Sequence, residues 1–331
     1  METVGFIGLG NMGGGMSNNI QKAGYPMVVF DLREEVLKPL LDGGARLAGS
    51  PAEVARLSDV TFTSLPGPRE VEAVATGPEG VLEGISAGGV YVDLSTSRPT
   101  LIREIEPKFR AKGAHVLDAP VSGGKSGAAS RNLAVMVGGE QEIFERIKPL
   151  LEAFGDKVFY AGSIGAGSVA KLVHNMIGHG VRQAIAEGMT LGVKAGVEPE
   201  ALWQCIRRGS LGRMSGLHEG IARTVFRGEF EPASFALNLS RKDVGLATDL
   251  GREFNVPMPV ANLCEQIAIQ GMNRGWGGRD SSVTFLLQEE QAGVKVRAAG
   301  VDPVKAGRFI STHPEVLMKR RPRSGAALSS Y

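Results

Sequence analysis

The sequence predicts an α/β fold: a parallel sheet covered by helices on both faces, then an all-α domain, the two joined by one long helix. Three observations carry that prediction. Short, β-branched apolar runs alternate with helical stretches through the first half, which is how parallel strands buried on both faces read. A glycine-rich turn follows the first of those runs. From about Gly167 to Gly196 apolar residues recur at helical spacing without a strong breaker.

Taken in order, the strand signals are Thr3–Gly8, Met27–Asp31, Asp59–Thr63 and Val90–Asp93. Between them lies helix-start chemistry. In Ser50-Pro51-Ala52-Glu53, Ser50 can cap, Pro51 suits the first turn, and Glu53 can reach back as a capping-box partner. The character changes at Gly162-Ser163-Ile164-Gly165-Ala166-Gly167, so the expected division is residues 1–164, then a helical domain over 165–312. Beyond the long helix, Ala201–Ile206, Ser240–Phe254 and Pro259–Met272 again read as helices. Residues 313–331 carry Lys319-Arg320-Arg321-Pro322-Arg323 among Ser, Gly and Ala, the composition of a solvated, flexible tail.

Composition removes several classes of function. The 331 residues carry a net charge of +2, too little to imply nucleic acid or another polyanion as partner. The two cysteines, Cys205 and Cys264, stand in no CxxC pair and near no ligand-spaced histidine, which argues against a disulfide framework or a zinc site. No apolar run approaches the roughly 18–20 residues of a bilayer span, and Met1-Glu2-Thr3 leads straight into a strand rather than a leader, so the expected location is cytoplasmic, away from membranes.

Gly8-Leu9-Gly10-Asn11-Met12-Gly13 has the spacing GxGxxG, and its surroundings give it weight. It follows a strand, opens a helix, and precedes a second strand that ends on an acid, Asp31, about 20 residues on. Gly8 allows the tight turn, Gly10 lets backbone approach a pyrophosphate, and Gly13 lets helix pack on strand. The helix N-terminus then offers its amides to phosphate oxygens. This is a dinucleotide site of the Rossmann type. Asp31 can accept both ribose hydroxyls and repels a 2′-phosphate, favouring NAD over NADP, while Arg33 tempers that preference. Leu65 and Pro66 after the third strand, and Thr96 after the fourth, lie where ligands sit in open α/β sheets; the same segments also satisfy ordinary turn chemistry.

The run Asp118-Ala119-Pro120-Val121-Ser122-Gly123-Gly124 resembles the substrate loop of the β-hydroxyacid dehydrogenases, the group with 3-hydroxyisobutyrate dehydrogenase and tartronate semialdehyde reductase. Further matches follow in the same order. Gly165, Gly167, Lys171 and Asn175 fit G-x-G-x-x-x-K-x-x-x-N, Lys242–Ala247 fits K-D-L-x-L-A, and Gly278–Ser282 resembles G-x-D-x-S. Arg131-Asn132 departs from the family's Gly-Thr. The resemblance implies a Rossmann domain, a C-terminal domain like that of 6-phosphogluconate dehydrogenase, homodimers or homotetramers, and oxidation of a small β-hydroxy acid.

The residue types suit that chemistry. Oxidising an alcohol needs a hydride acceptor, a group to take the hydroxyl proton, and an anchor for the carbon. Lys171 and Asn175 are four apart and share a helix face. A buried lysine loses proton affinity and can exchange protons near neutral pH, while Asn175 can hold the substrate oxygen. Ser122 with the amides of Gly123 and Gly124 suits a substrate carboxylate. Lys242 can neutralise acid charge or brace the cofactor side, or be a surface pair with Asp243. His174 and His179 carry no ligand-spaced acid, so no metal is expected. Rival readings are a β-hydroxy-amino-acid dehydrogenase, an imine reductase, or a protein that binds the nucleotide without catalysis; retention of Lys171 and Ser122-Gly123-Gly124 disfavours the last two.

Overall fold

The computed structural model describes residues 1–212 and 216–298. The predicted tail at 313–331, and the end of the helical domain expected at residue 312, lie outside them. The chain divides into two compact units, Met1–His179 and Gly180–Tyr331.

In the first unit β1 (Val4–Ile7), β2 (Met27–Phe30), β3 (Arg46–Leu47), β4 (Val60–Thr63), β5 (Val90–Asp93) and β6 (His115–Asp118) are parallel, in the order β3-β2-β1-β4-β5-β6. The connections leave β1 in opposite directions, toward β2 and toward β4. That places a topological switch point at their carboxyl ends, where ligands bind in such sheets.

Beyond β6 the sheet departs from the all-parallel expectation. β7 (Val121–Ser122) and β8 (Ala134–Gly138) pair antiparallel, β8 also runs antiparallel to β6, and β9 (Lys157–Gly162) is parallel to β8. The 11 residues between Ser122 and Ala134 fall short of the dozen or more that a parallel crossover needs, so the chain turns back on itself.

Helices cover both faces: α1 (Gly13–Lys22), α2 (Glu34–Asp42), α3 (Pro51–Arg56), α4 (Pro68–Thr76), α5 (Val81–Gly84), α6 (Pro99–Arg110), α7 (Gly124–Ser130) and α8 (Gln141–Leu151). Alternate strand residues feed two cores. Phe6, Val29, Phe62 and Val92 pack with Met16, Ile20, Ile147 and Phe154, while Ile7, Val28, Tyr91 and Val116 pack with Val54, Val71, Leu101 and Phe109. Each such buried side chain contributes about 1.5–3 kcal/mol. Ser50 caps α3 as expected, accepting the Glu53 amide at 3.2 Å, but the Glu53 carboxylate reaches the Gly49 amide at 2.7 Å, one residue before the cap.

The long helix α9 (Ala166–Lys194) starts in the first unit and ends in the second. The second unit continues with α10 (Pro199–Arg208), the short α11 (Ile221–Arg223), α12 (Leu237–Glu253), α13 (Pro259–Asn273) and α14 (Phe285–Ala292). Val225, Phe230, Leu237, Ala268 and Val283 form its main core. Two buried acids hold it together. The Glu187 carboxylate accepts the Val260 and Ala261 amides at the start of α13, and Asp280 accepts those of Ser234 and Ser282. Asp280 of the late sequence motif therefore has a structural task. Among the described residues no helix is long and apolar enough to cross a membrane.

Candidate active site

The glycine-rich turn is built from backbone approaches that exclude side chains. Gly8 follows β1 at φ +88°, a conformation L side chains rarely adopt, and a Cβ there would collide with the Ser64 carbonyl just past β4. A Cβ on Gly13 would collide with the Gly8 carbonyl itself. Gly10 allows an approach from another side: a Cβ there would lie 3.3 Å from the Arg33 guanidinium. The turn thus ends directly under the N-terminus of α1, with Asn11 exposed and Leu9 buried beside it.

Asp31 stands just past β2, next to this turn. Its carboxylate accepts the Leu9 amide at 2.6 Å, the Arg33 amide at 2.9 Å and the Arg33 Nε at 3.3 Å. Burial opposes ionisation here, but those donors and the Arg33 charge outweigh it and hold the carboxyl below its usual range. An ionised Asp31 keeps lone pairs for two hydroxyls. Leu32, 90% exposed, follows it at the rim. The glycine cradle and this carboxylate fit a dinucleotide with a free ribose diol.

A cavity of about 330 Å³ gathers residues from five separate stretches of the first unit. Met12 borders it from the glycine turn, Leu65, Pro66 and Thr96 from the ends of β4 and β5, and Ser122, Gly123 and Gly124 from β7 and α7; Lys171 and Asn175 reach it from α9. From Met12 to Asn175 these groups span more than a hundred residues of sequence, and the switch point explains the convergence. Of the candidate residues, Lys242 is in the other compact unit. It lies on α12 in the second unit, exposed, its ammonium 3.0 Å from Asp243.

Lys171 is 8% exposed, and burial lowers its proton affinity below that of an ordinary lysine. Asn175, one turn on, is half-buried. His174 adds a contact that spacing alone did not show: its Nε2 lies 3.0 Å from Ser122 Oγ. Spacing offers His174 no acid as a partner; the structure gives it a serine 52 residues away. No metal-binding group of three or more His, Cys, Asp or Glu occurs among the described residues.

Beneath the cavity lie two buried acids, Asp93 and Asp118, register partners on β5 and β6. Asp93 Oδ1 accepts Thr63 Oγ1 and the Ser95 amide, both at 3.0 Å, and Ser95 Oγ in turn accepts the Leu65 amide at 2.9 Å. Burial pushes Asp93 up to about 6, the bonds from Ser95 and Thr63 pull it down, and the Asp118 charge adds to the rise. Burial likewise raises Asp118 despite the amides it accepts from α9. Ser64, Leu94, Ser95 and Val121 also line the cavity. Turn composition gave no means of ranking them.

Residues 3–162 match the family described as the NAD binding domain of 6-phosphogluconate dehydrogenase, and residues 165–287 that described as NAD-binding of NADP-dependent 3-hydroxyisobutyrate dehydrogenase. The chain belongs to the β-hydroxyacid dehydrogenase family. This family member is an oxidoreductase with NAD-binding domains. It is 38% identical over 293 residues to the 2-(hydroxymethyl)glutarate dehydrogenase of Eubacterium barkeri, covering 88% of this chain and 97% of that one. With the NAD-dependent L-serine dehydrogenase of Pseudomonas aeruginosa it shares 35% identity over 297 residues, 88% of this chain and all of the relative. Among solved structures, the Mycobacterium tuberculosis 3-hydroxyisobutyrate dehydrogenase with L-serine superposes with a TM-score of 0.61 at 31% identity, over 87% of this chain and 99% of that one.

Proposed function

We propose that the protein catalyses the reversible, NAD-linked oxidation of a small β-hydroxy acid to its semialdehyde or keto acid, with Lys171 as general acid and base. The observation that carries this reading is the burial of Lys171 in the cavity that also holds Ser122-Gly123-Gly124 and the strand ends of the nucleotide side. The three relatives described above act on, or are crystallised with, small acids bearing a hydroxymethyl group, which supports the substrate class.

The glycine turn would hold the pyrophosphate and Asp31 the ribose diol. When bound, the nicotinamide supplies the hydride acceptor. The protein's residues do the rest. Ser122 Oγ and the glycine amides hold the substrate carboxylate, and His174 fixes the Ser122 hydroxyl. Lys171 in its neutral form takes the hydroxyl proton onto Nζ as the carbonyl forms, and returns it in the reverse direction. Asn175 keeps the substrate oxygen in line. The burial that lowers the lysine's proton affinity makes the neutral base available below the usual value of 10.5.

The test pairs a substrate panel with one variant. 3-Hydroxyisobutyrate, 2-(hydroxymethyl)glutarate and L-serine are assayed with NAD and with NADP; Lys171→Ala should lower turnover about 10²–10⁴-fold and leave NAD affinity unchanged. A variant keeping more than about a tenth of wild-type turnover, with hydride transfer rate-limiting, removes Lys171 from this role.

A further inference from the structure

Lys171 is buried because of how α9 begins, and the start of α9 is held by a side chain that does not line the cavity. Asp118, at the end of β6, is 1% exposed. Its two carboxylate oxygens are divided between two amides of the incoming helix: Oδ1 accepts Gly165 N–H at 2.7 Å and Oδ2 accepts Ser168 N–H at 2.6 Å. The helix is seated by close backbone approach as well. A Cβ on Gly138 would lie 2.5 Å from Asp118 Oδ1 and 2.8 Å from the Gly167 amide. One on Gly167 would collide with the Met136 carbonyl and come 2.6 Å from that of Asp118. Lys171 follows Gly167 by four residues and so continues the face that rests on β6 and β8.

We infer that Asp118 is the positioning residue for Lys171: by gripping the Gly165 and Ser168 amides it sets the height and rotation of the first turns of α9, and thereby where the ammonium meets the substrate oxygen. This rests on the role of Lys171 proposed above. Two-point attachment matters. One bond would leave the helix free to swivel about it, whereas bonds to amides three residues apart fix its rotation. A carboxylate is the side chain that can do this from one position. Both of its oxygens accept, whereas an asparagine offers one acceptor and turns an NH₂ toward the other amide. The carboxylate also complements the positive end of the helix dipole. Asp93, its neighbour across the β5–β6 register, braces Ser95 and Leu65 on the nucleotide side instead. The two acids thus serve different halves of one site.

That division makes the role testable apart from general stability. Asp118→Asn should lower kcat about 10-fold or more while NAD affinity stays within about twofold, because the nucleotide side is untouched. As the helix lifts, Lys171 gains solvent, its proton affinity returns toward that of a free lysine, and the rise of kcat/KM with pH in the oxidation direction moves to higher pH. A merely structural lesion lowers the melting temperature without moving that limb. Ser168→Pro deletes one donor in the first helical turn, where proline is tolerated, and leaves the carboxylate in place. It should show the same signature and decides the matter if Asp118→Asn does not fold. Folded variants with kcat within about threefold of wild type and an unmoved limb overturn the inference; so does a loss of NAD affinity equal to the loss of kcat. Lys171→Ala is run alongside. If it stays active, the proposed function fails and this role with it; if it is dead while both variants remain active, only the positioning role fails.

Discussion

Asp93 gives the protein a pH-dependent stability whose sign and size can be worked out. It is 2% exposed and ionises at about 6 instead of its usual 3.8, chiefly because burial disfavours the charge. An acid raised in the folded state binds its proton more tightly there than when unfolded. Its contribution is therefore fully present below pH 3.8 and is lost as pH rises through about 6. At about 1.4 kcal/mol per pH unit, the gap amounts to about 3 kcal/mol. Asp93→Asn keeps the Oδ1 acceptor for Thr63 and Ser95 and titrates nothing. Urea denaturation of both proteins, followed by circular dichroism from about pH 4 to about pH 7.5, should show the variant gaining about 2 to 3 kcal/mol on the wild type as pH rises. Two curves that stay parallel within about 1 kcal/mol would mean that Asp93 ionises normally, and the account of its burial would fail.

Three other perturbations test the remaining parts. Gly13→Ala forces a Cβ into the Gly8 carbonyl and should weaken NADH binding about 10-fold or more in a fluorescence titration, at an overpacking cost of about 1–3 kcal/mol. Asp31→Ala removes the carboxylate proposed to accept the ribose hydroxyls and to repel a 2′-phosphate, so the NAD-to-NADP ratio of kcat/KM should shrink; a wild type that prefers NADP tenfold would show that Arg33 outweighs the carboxylate. Arg131 closes α7 at φ 63°, in the left-handed region that favours glycine. Arg131→Gly should add about 1 kcal/mol, read calorimetrically as a melting temperature about 2–4 °C higher, and an unchanged melting temperature contradicts the strain.

What could be read in the sequence was what local geometry dictates. Gly8, Gly10, Gly13 and Asp31 announce themselves because a turn, a helix start and a strand end must fall at fixed offsets. Lys171 and Asn175 were legible as a pair through helical spacing. The contact of His174 with Ser122 was not, since it joins residues far apart in the chain through the seating of α9, which no spacing encodes. Asp118 was visible only as the first letter of a motif; that it grips an incoming helix depends on β6 ending beneath Gly165. The antiparallel pairing of β7 with β8 is not legible, because a strand of two residues such as β7 leaves no periodicity to read. Lys242 reads as a ligand with a surface pair as the alternative, and on α12 its ammonium lies 3.0 Å from Asp243.

The helix α9 carries Lys171 in the first compact unit, although the family match for the nucleotide domain stops at residue 162, before the helix begins. A chimaera joined at that point would inherit Lys171 from one parent and Ser122 from the other. Their geometry would then depend on whether the donor's helix start suits the recipient's acid at position 118. A joint placed after His179 would instead transfer Ser122, Asp118 and Lys171 as one piece, with the grip of Asp118 on the helix start intact.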